Sequence, residues 1–448
     1  MVILLQYILS AVFGFKILTT NGLSRFGWYM ASITLVNTFF NVFNAVALTK
    51  GHLFFVLLFF ISLIIEGRLK IKQINKCPLA VPLLLLFISY VLIGLFDSRL
   101  NPVVGVYRGT YNFLQSFGAF LLGWLSVKEN VNLSALAKKL TYLALIFTIY
   151  GVITFLMKSN PIVDALGFED RFVFENAKAS FRQFLVAGFL AESGVYGLSC
   201  FLFLIYIVAF YRYRRKLLVR VATVLLFVNI FLTATRSVMI PAMVGMMIYI
   251  MIAYNFKDKT RVIFAAVLIG LAVTVVFPNS IAKYAGEVID SIADVILPGG
   301  SGGADLGGSN MDVRHIQIAT AFTKYLPQRP FFGHGFNYYQ EVIYQFNNGV
   351  NDAELYGMES YLCFLGVEYG AVNIICVIVF FISLLRYFIK NKSVGKIFYA
   401  IGLSITVTYI LFLVFAYMGD SWLYAMPFLG LIVGVIEKQK QYKKSMSM

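Results

Sequence analysis

Apolar residues run in long blocks bounded by charge, proline or glycine, near 28–48, 51–66, 78–97, 111–126, 139–157, 194–211, 217–234, 237–255, 261–277, 363–386, 398–416 and 421–436. A helix needs about 20 largely apolar residues to cross the hydrocarbon core, so these twelve blocks predict transmembrane helices. Residues 2–15 form a thirteenth apolar run. It is short, and Lys16, Asn21 and Arg25 follow it at once, which favours an interfacial or half-buried helix over a span. Two connections exceed the short turns found elsewhere, 158–193 and 278–362, and long loops in compact proteins usually carry function. Within the larger one, PGGSGGADLGGSN (298–310) reads as a flexible lip between two amphipathic runs, SIAKYAGEVIDSIADVI and DVRHIQIATAFTKYL. The chain is thus expected to be one integral-membrane domain with a helical outer subdomain.

Composition strengthens this reading. Hydrophobic residues make up 60% and charged residues 13%, with mean hydropathy +0.81. Soluble domains carry about 25% charged residues, so too little polar surface is available to coat a water-borne particle. The class is an all-α polytopic membrane protein. The net charge of +16 would suggest nucleic acid if it were gathered on a soluble domain. Instead it partitions. With the C-terminal tail in the cytoplasm, the segments on that side hold 25 of the 37 basic residues and only four acidic ones, a net of +21 against −5 on the other. This is the positive-inside asymmetry, so both long loops are expected outside and nucleic acid is not the expected partner. Met1 to Phe15 lacks the basic start and small-residue cleavage site of a signal peptide, so this stretch is expected to remain in the mature protein. Four cysteines, at 77, 200, 363 and 376, lie in or beside apolar runs and read as packing residues.

The chemistry has to come from arginines and carboxylates. No DxD, HExxH, paired CxxC or Walker A occurs, and the topology assigns only His315 and His334 of the three histidines to the outer side. Neither a metal nor another cofactor is expected. Arg236, in FLTATRSVMIPAM, stands at the outward end of one apolar run and the start of the next. A charge there is costly without a partner or a wet cavity, although a snorkelling side chain is the plainer alternative. Arg314 follows the Gly-rich lip; a surface ion pair with Asp312 or Asp305 is its plainer alternative. Two planar guanidinium groups at one membrane face suit a pyrophosphate. Arg171 and Arg182 add charge to the shorter loop, and Arg182 abuts the membrane. Glu359 lies at the start of an apolar helix beside Ser360 and Tyr361, and Glu368 lies a little over two turns on, as readily a helix-packing residue held by a partner. GHGF (333–336) supplies backbone permissive of a tight turn and is weak alone.

Taken in order, LTATRS (232–237), Arg314, PFFGHGF (330–336) and ESYLCFLGVEYG (359–370), with FRQFLVAGFLAESGVYG (181–197) upstream, carry a pattern. The chain resembles the O-antigen ligase and O-antigen/capsular polysaccharide polymerase superfamily over about residues 181–435. Ligases of that superfamily generally place a histidine near the start of the last motif; here Met358-Glu359-Ser360 stands there, which resembles the polymerases more.

The resemblance implies a GT-C-like fold and metal-independent glycosyl transfer at the outer face of a bacterial cytoplasmic (inner) membrane. Donor and acceptor would be oligosaccharides on undecaprenyl pyrophosphate, with a flippase and a chain-length regulator as working partners beside the bilayer itself. Arg236 and Arg314 would stabilise the leaving pyrophosphate, and Glu359 would serve as general base. Arg182, His334, Tyr338, Tyr356 and Ser360 would contact substrate, with tyrosines, Tyr339 included, lining the sugar path. The alternatives are a ligase acting on lipid A core or protein, and, from a different class, a lipid-linked-oligosaccharide flippase or other transporter. The lack of duplicated halves disfavours the transporter.

Overall fold

A computed structural model describes residues 1–38, 40, 52–127, 132–167, 184–190, 192–211, 216–260, 311–344, 353–355, 358, 360–416 and 419–446. Among these residues the regular structure is helical, with no β-strand. In chain order come α1 (Val2–Thr19), α2 (Gly22–Leu35), α3 (His52–Ile65), α4 (Ala80–Leu95), α5 (Pro102–Gln115), α6 (Ala119–Ser126), α7 (Leu133–Met157) and α8 (Ser193–Tyr211). They are followed by α9 (Lys216–Leu232), α10 (Arg236–Ala253), α11 (Met311–Thr320), α12 (Tyr361–Phe364), α13 (Gly370–Lys390), α14 (Lys396–Phe415) and α15 (Trp422–Met446). Seven helical stretches among the described residues are long and apolar enough to cross a membrane, and α3, α4 and most of α9 are shorter apolar helices. The chain is an all-α polytopic membrane protein.

Two physical features organise the bundle. The first fifteen residues of α15, Trp422 to Ile436, are all buried, as suits a helix apolar on every side and enclosed by others. It packs on α6 backbone to backbone: a Cβ on Gly123 would lie 1.8 Å from the Pro427 carbonyl oxygen, and one on Gly430 2.0 Å from that of Phe120. Small residues permit this approach where hydrocarbon supplies no hydrophobic drive between helices. The second feature is the outer face of the bundle, where Leu4, Leu84, Ile146 and Ile375 are exposed, a surface suited to lipid rather than water.

Segments that charge assigns to one side meet at one end. Arg25 pairs with Glu66 at 2.9 Å, Arg68 reaches the Val127 carbonyl at 3.0 Å, Lys139 reaches Ser24 Oγ at 2.9 Å, and Lys443 reaches the Val394 carbonyl at 3.3 Å. At the other helix ends, Asn37 Nδ2 donates to the Phe189 carbonyl (2.9 Å) and Asn160 Nδ2 to that of Gly188 (2.8 Å).

Several expected boundaries move. The run at 2–15 continues through Lys16 as α1, an 18-residue helix apolar and long enough to span, because Lys16 carries its ammonium out over the Trp28 ring (5.9 Å) instead of ending the helix. Within the 28–48 block α2 ends at Leu35, where Val36 is extended and Asn37 donates its backbone N–H to Gln6 Oε1 at 2.9 Å; residue 39 and residues 41–48 lie outside the described residues. The 111–126 block is broken. Its helix starts earlier, at Pro102, capped by Asn101 accepting from Val103 N, and ends before Ser116, with α6 beginning at Ala119. His52, fully buried at the start of α3 with Nε2 2.9 Å from the Val36 carbonyl oxygen, also lies toward the end opposite the basic one, beyond the two histidines expected there. The block at 261–277, the amphipathic run before the lip and the lip itself lie outside the described residues.

Candidate functional site

Two threonines shape the LTATRS turn. After α9 ends, Ala234 takes a left-handed backbone (φ +50°), Thr235 Oγ1 donates to the Thr233 carbonyl at 2.8 Å, and Ser193 Oγ lies 3.0 Å from Thr235 Oγ1. Val186 N donates to the Leu232 carbonyl at 3.3 Å, fastening residues 184–190 to the same turn. Arg236 is then the first residue of α10, half-buried. A helix N-terminus carries partial positive charge and undonated N–H groups, so a guanidinium there makes a doubly positive spot, favourable for an anion.

The helix beneath sets its height. α10 runs antiparallel to α14, with Ser404 Oγ donating to the Gly245 carbonyl (2.6 Å) and Thr408 Oγ1 to that of Pro241 (3.1 Å). Four residues forward on α14 match four back on α10, so continuing the register brings Val414 level with Thr235. The Val414 carbonyl accepts from Ser360 Oγ at 2.7 Å, and the same Oγ accepts from Leu362 N at 3.3 Å, capping α12. Ser360 and the first turn of α12 therefore stand at the level of Arg236.

Arg314 is half-buried on α11, which packs against α12. Thr320 at the end of α11 donates to Glu354 Oε2 at 2.6 Å. Tyr339 Oη donates to the Leu355 carbonyl (3.1 Å) and accepts from Met358 N (3.3 Å). A small core of Ala321, Tyr325, Tyr339, Ile343, Leu355, Met358, Cys363 and Val367 seats this outer layer on the segment 361–369.

The GHGF turn locks onto the start of α13. His334 N donates to the Val367 carbonyl and Gly335 N to that of Glu368, both at 3.1 Å, while Ala371 N donates to the Pro330 carbonyl at 2.7 Å. Both glycines are required. Gly333 (φ +63°) lies where a Cβ would be 2.4 Å from the Glu368 backbone, and Gly335 (φ +97°) where one would be 2.1 Å from Asp97 Oδ2. The buried Glu368 carboxylate accepts from Asn337 N (3.1 Å) and Tyr339 N (3.0 Å), so the partner that holds it is main chain. His334 is buried, with Nε2 3.3 Å from the Tyr325 carbonyl oxygen and its ring stacked on Tyr338 at 4.4 Å. Burial, helped by the charges of Arg329 and Arg99, holds its pKa below the ordinary histidine value; the Tyr325 carbonyl and Asp97 oppose the shift.

Four charged residues not singled out from the sequence complete this face. Arg99 grips Asp97 through Nε (2.9 Å) and Nη2 (2.7 Å), reaches the Phe336 carbonyl (2.9 Å) and Glu341 (3.1 Å), and lies over the Tyr338 ring at 5.2 Å. Arg108 Nη1 also donates to Glu341, at 3.1 Å. Their signal was present: arginines in DSRLNPVVGVYR, a connection that the charge partition assigns to the less basic side, run against the charge bias, as Arg236 does.

Of the residues expected to act, Arg236 and Ser360 share a level, Arg314 lies on the helix that packs against α12, and His334 stacks on Tyr338. Arg182, Tyr356 and Glu359 lie outside the described residues. Among the described residues no three His, Cys, Asp or Glu side chains converge as a metal site. No curated protein matches the chain. Residues 221–378 match the family model described as O-antigen ligase, a stretch that contains the LTATRS turn, Arg314 and the GHGF lock, consistent with the O-antigen ligase/polymerase superfamily that those motifs resemble.

Proposed function

We propose that the protein is a membrane glycosyltransferase that polymerises undecaprenyl-pyrophosphate-linked repeat units into a surface polysaccharide at the outer face of the bacterial cytoplasmic membrane. The supporting observation is the α10–α14 register, which sets Arg236 at the level of Ser360, while α11, the helix that carries Arg314, packs against the short helix that Ser360 caps. In the reaction, an acceptor sugar hydroxyl attacks the donor's anomeric carbon. The carbon–oxygen bond to the lipid pyrophosphate breaks, and the hydroxyl proton passes to Glu359. Negative charge grows on the departing pyrophosphate, so guanidinium groups and a helix N-terminus fixed around it stabilise the transition state more than the ground state. Arg182, His334, Tyr338, Tyr356 and Ser360 are proposed along the sugar path. The family description names a ligase, and the absence of a histidine at Met358-Glu359-Ser360 favours the polymerase.

Purified protein in lipid vesicles, given lipid-linked repeat units alone, should lengthen them. Arg236→Ala and Arg314→Ala should each abolish the ladder, and Lys at either position should rescue poorly, since an ammonium lacks the bidentate fork. Wild-type ladders from both Ala variants at normal protein level would remove these residues from the mechanism. Transfer only when lipid A core or protein is added would make the enzyme a ligase.

A further inference from the structure

The anion site is built partly on an outer layer, and that layer needs something to fix it against the bundle. The turn between α4 and α5 supplies it. Asp97, its side chain fully buried, fixes Arg99 through three hydrogen bonds, two from the guanidinium and one from the backbone N–H, and Glu341 is shared between Arg99 and Arg108. Arg329 from the other side donates to Ser98 Oγ at 2.8 Å, and Phe96 stacks on Phe332 at 4.7 Å with 5° between ring planes. The turn and the outer loop are thereby fastened at three places: an ion cluster, a hydrogen bond and a ring stack.

From this clamp a continuous set of contacts leads to Arg314. Arg99 holds the Phe336 carbonyl and covers the Tyr338 ring. The next residue, Tyr339, is held at its N–H by Glu368, and its hydroxyl holds the Leu355 carbonyl and Met358 N. Glu354, next to Leu355, accepts from Thr320, the last residue of the helix that carries Arg314. Most of these links are hydrogen bonds of defined direction, and the apolar core around Tyr339 and Leu355 packs beside them, so movement of the 336–341 segment is transmitted to α11.

We propose that Arg99, braced by Asp97, Arg108 and Glu341, is a positioning residue that sets the placement of Arg314 for phosphate stabilisation. The inference rests on the assignment of Arg314 to the anion site made above. Misplacement of a stabilising group by about 1 Å can lower turnover by about 100-fold, so loosening the clamp should act on kcat more than on KM.

The test uses the full chain in lipid vesicles with lipid-linked repeat units, alongside hydrogen–deuterium exchange. Arg99→Ala should speed exchange in 336–344, 353–358 and 311–326, and lower kcat by about 10- to 100-fold with KM little changed. Tyr339→Phe keeps the ring in its core and removes only the hydroxyl link, so it should loosen 353–358 and 311–326 while leaving the clamp at 336–338 protected. In an Arg314→Lys background, which retains residual turnover, Arg99→Ala should lower the rate no further. Unchanged exchange in 311–326, or an effect of Arg99→Ala that multiplies that of Arg314→Lys, would overturn the inference while leaving the anion site intact. Normal turnover by Arg314→Ala would instead remove the anion-site assignment, and the proposal with it.

Discussion

Gly335 and Asp97, far apart in the chain, touch: a Cβ on Gly335 would stand 2.1 Å from Asp97 Oδ2. The backbone of Gly335 also takes a left-handed conformation while its N–H donates to the Glu368 carbonyl. The glycine is thus pressed between the α4–α5 turn and the start of α13.

Gly335→Ala should therefore cost stability twice, through the clash with a buried carboxylate and through backbone strain of about 1–3 kcal/mol. Thermal unfolding in detergent should show a lowered midpoint, and glycan ladders should weaken in step. An unchanged midpoint would mean that the turn can shift to admit the methyl group, and that the close approach does not hold the loop.

His334 supplies a pH dependence. Its pKa is depressed by burial, so the folded chain holds the neutral imidazole and the unfolded chain binds the proton more readily. The stabilisation is fully present above the ordinary value of about 6.5 and is lost as pH falls from there through the depressed folded value. The protection of residues 325–338, taken as exchange relative to the intrinsic rate at each pH, should fall across that interval in the wild type. His334→Gln, which cannot titrate there, should flatten this dependence; an equally steep profile in the variant would assign it to another group.

What was legible in the sequence, and what was not, divides by distance along the chain. Hydrophobic blocks located most helices because burial in lipid depends on local composition alone. The start of α5 was missed because Arg108 interrupts the apolar window, although Asn101-Pro102 is a capping signal that could have placed it. The GHGF turn is weak by itself. It acquires a role only against Glu368, some thirty residues on, whose carboxylate and backbone hold it. The clamp was out of reach for the same reason, since Arg99 and its acceptor at Phe336 are 237 residues apart and nothing local announces the pairing.

Orientation can be measured directly. The segments assigned a net charge of +21 meet at one end of the bundle, which predicts that Ser309→Cys is labelled by an impermeant thiol reagent in intact cells while Ser445→Cys is not. The four native cysteines are buried, so background labelling should be low. Protection of position 309 with labelling of 445 would invert the protein and turn the proposed site toward the cytoplasm.

The general base is the remaining assignment. Glu359 directly precedes Ser360, whose side chain caps α12 and bonds to Val414 at the level of Arg236. Glu359→Gln keeps shape and most hydrogen bonding but removes the proton acceptor, so turnover on lipid-linked repeat units should fall by about 100-fold or more while donor binding persists. Glu368→Gln is the informative contrast. That carboxylate accepts one backbone N–H on each oxygen, so in the amide one of the two N–H groups loses its acceptor; the loss falls on the GHGF turn and not on proton transfer, so at equal amounts of folded protein it should retain turnover better than Glu359→Gln does. Near-normal rates from Glu359→Gln at several pH values would exclude it as the base. The reaction would then be one in which the departing pyrophosphate takes the acceptor's proton, and the protein contributes orientation and the positive charge of Arg236 and Arg314.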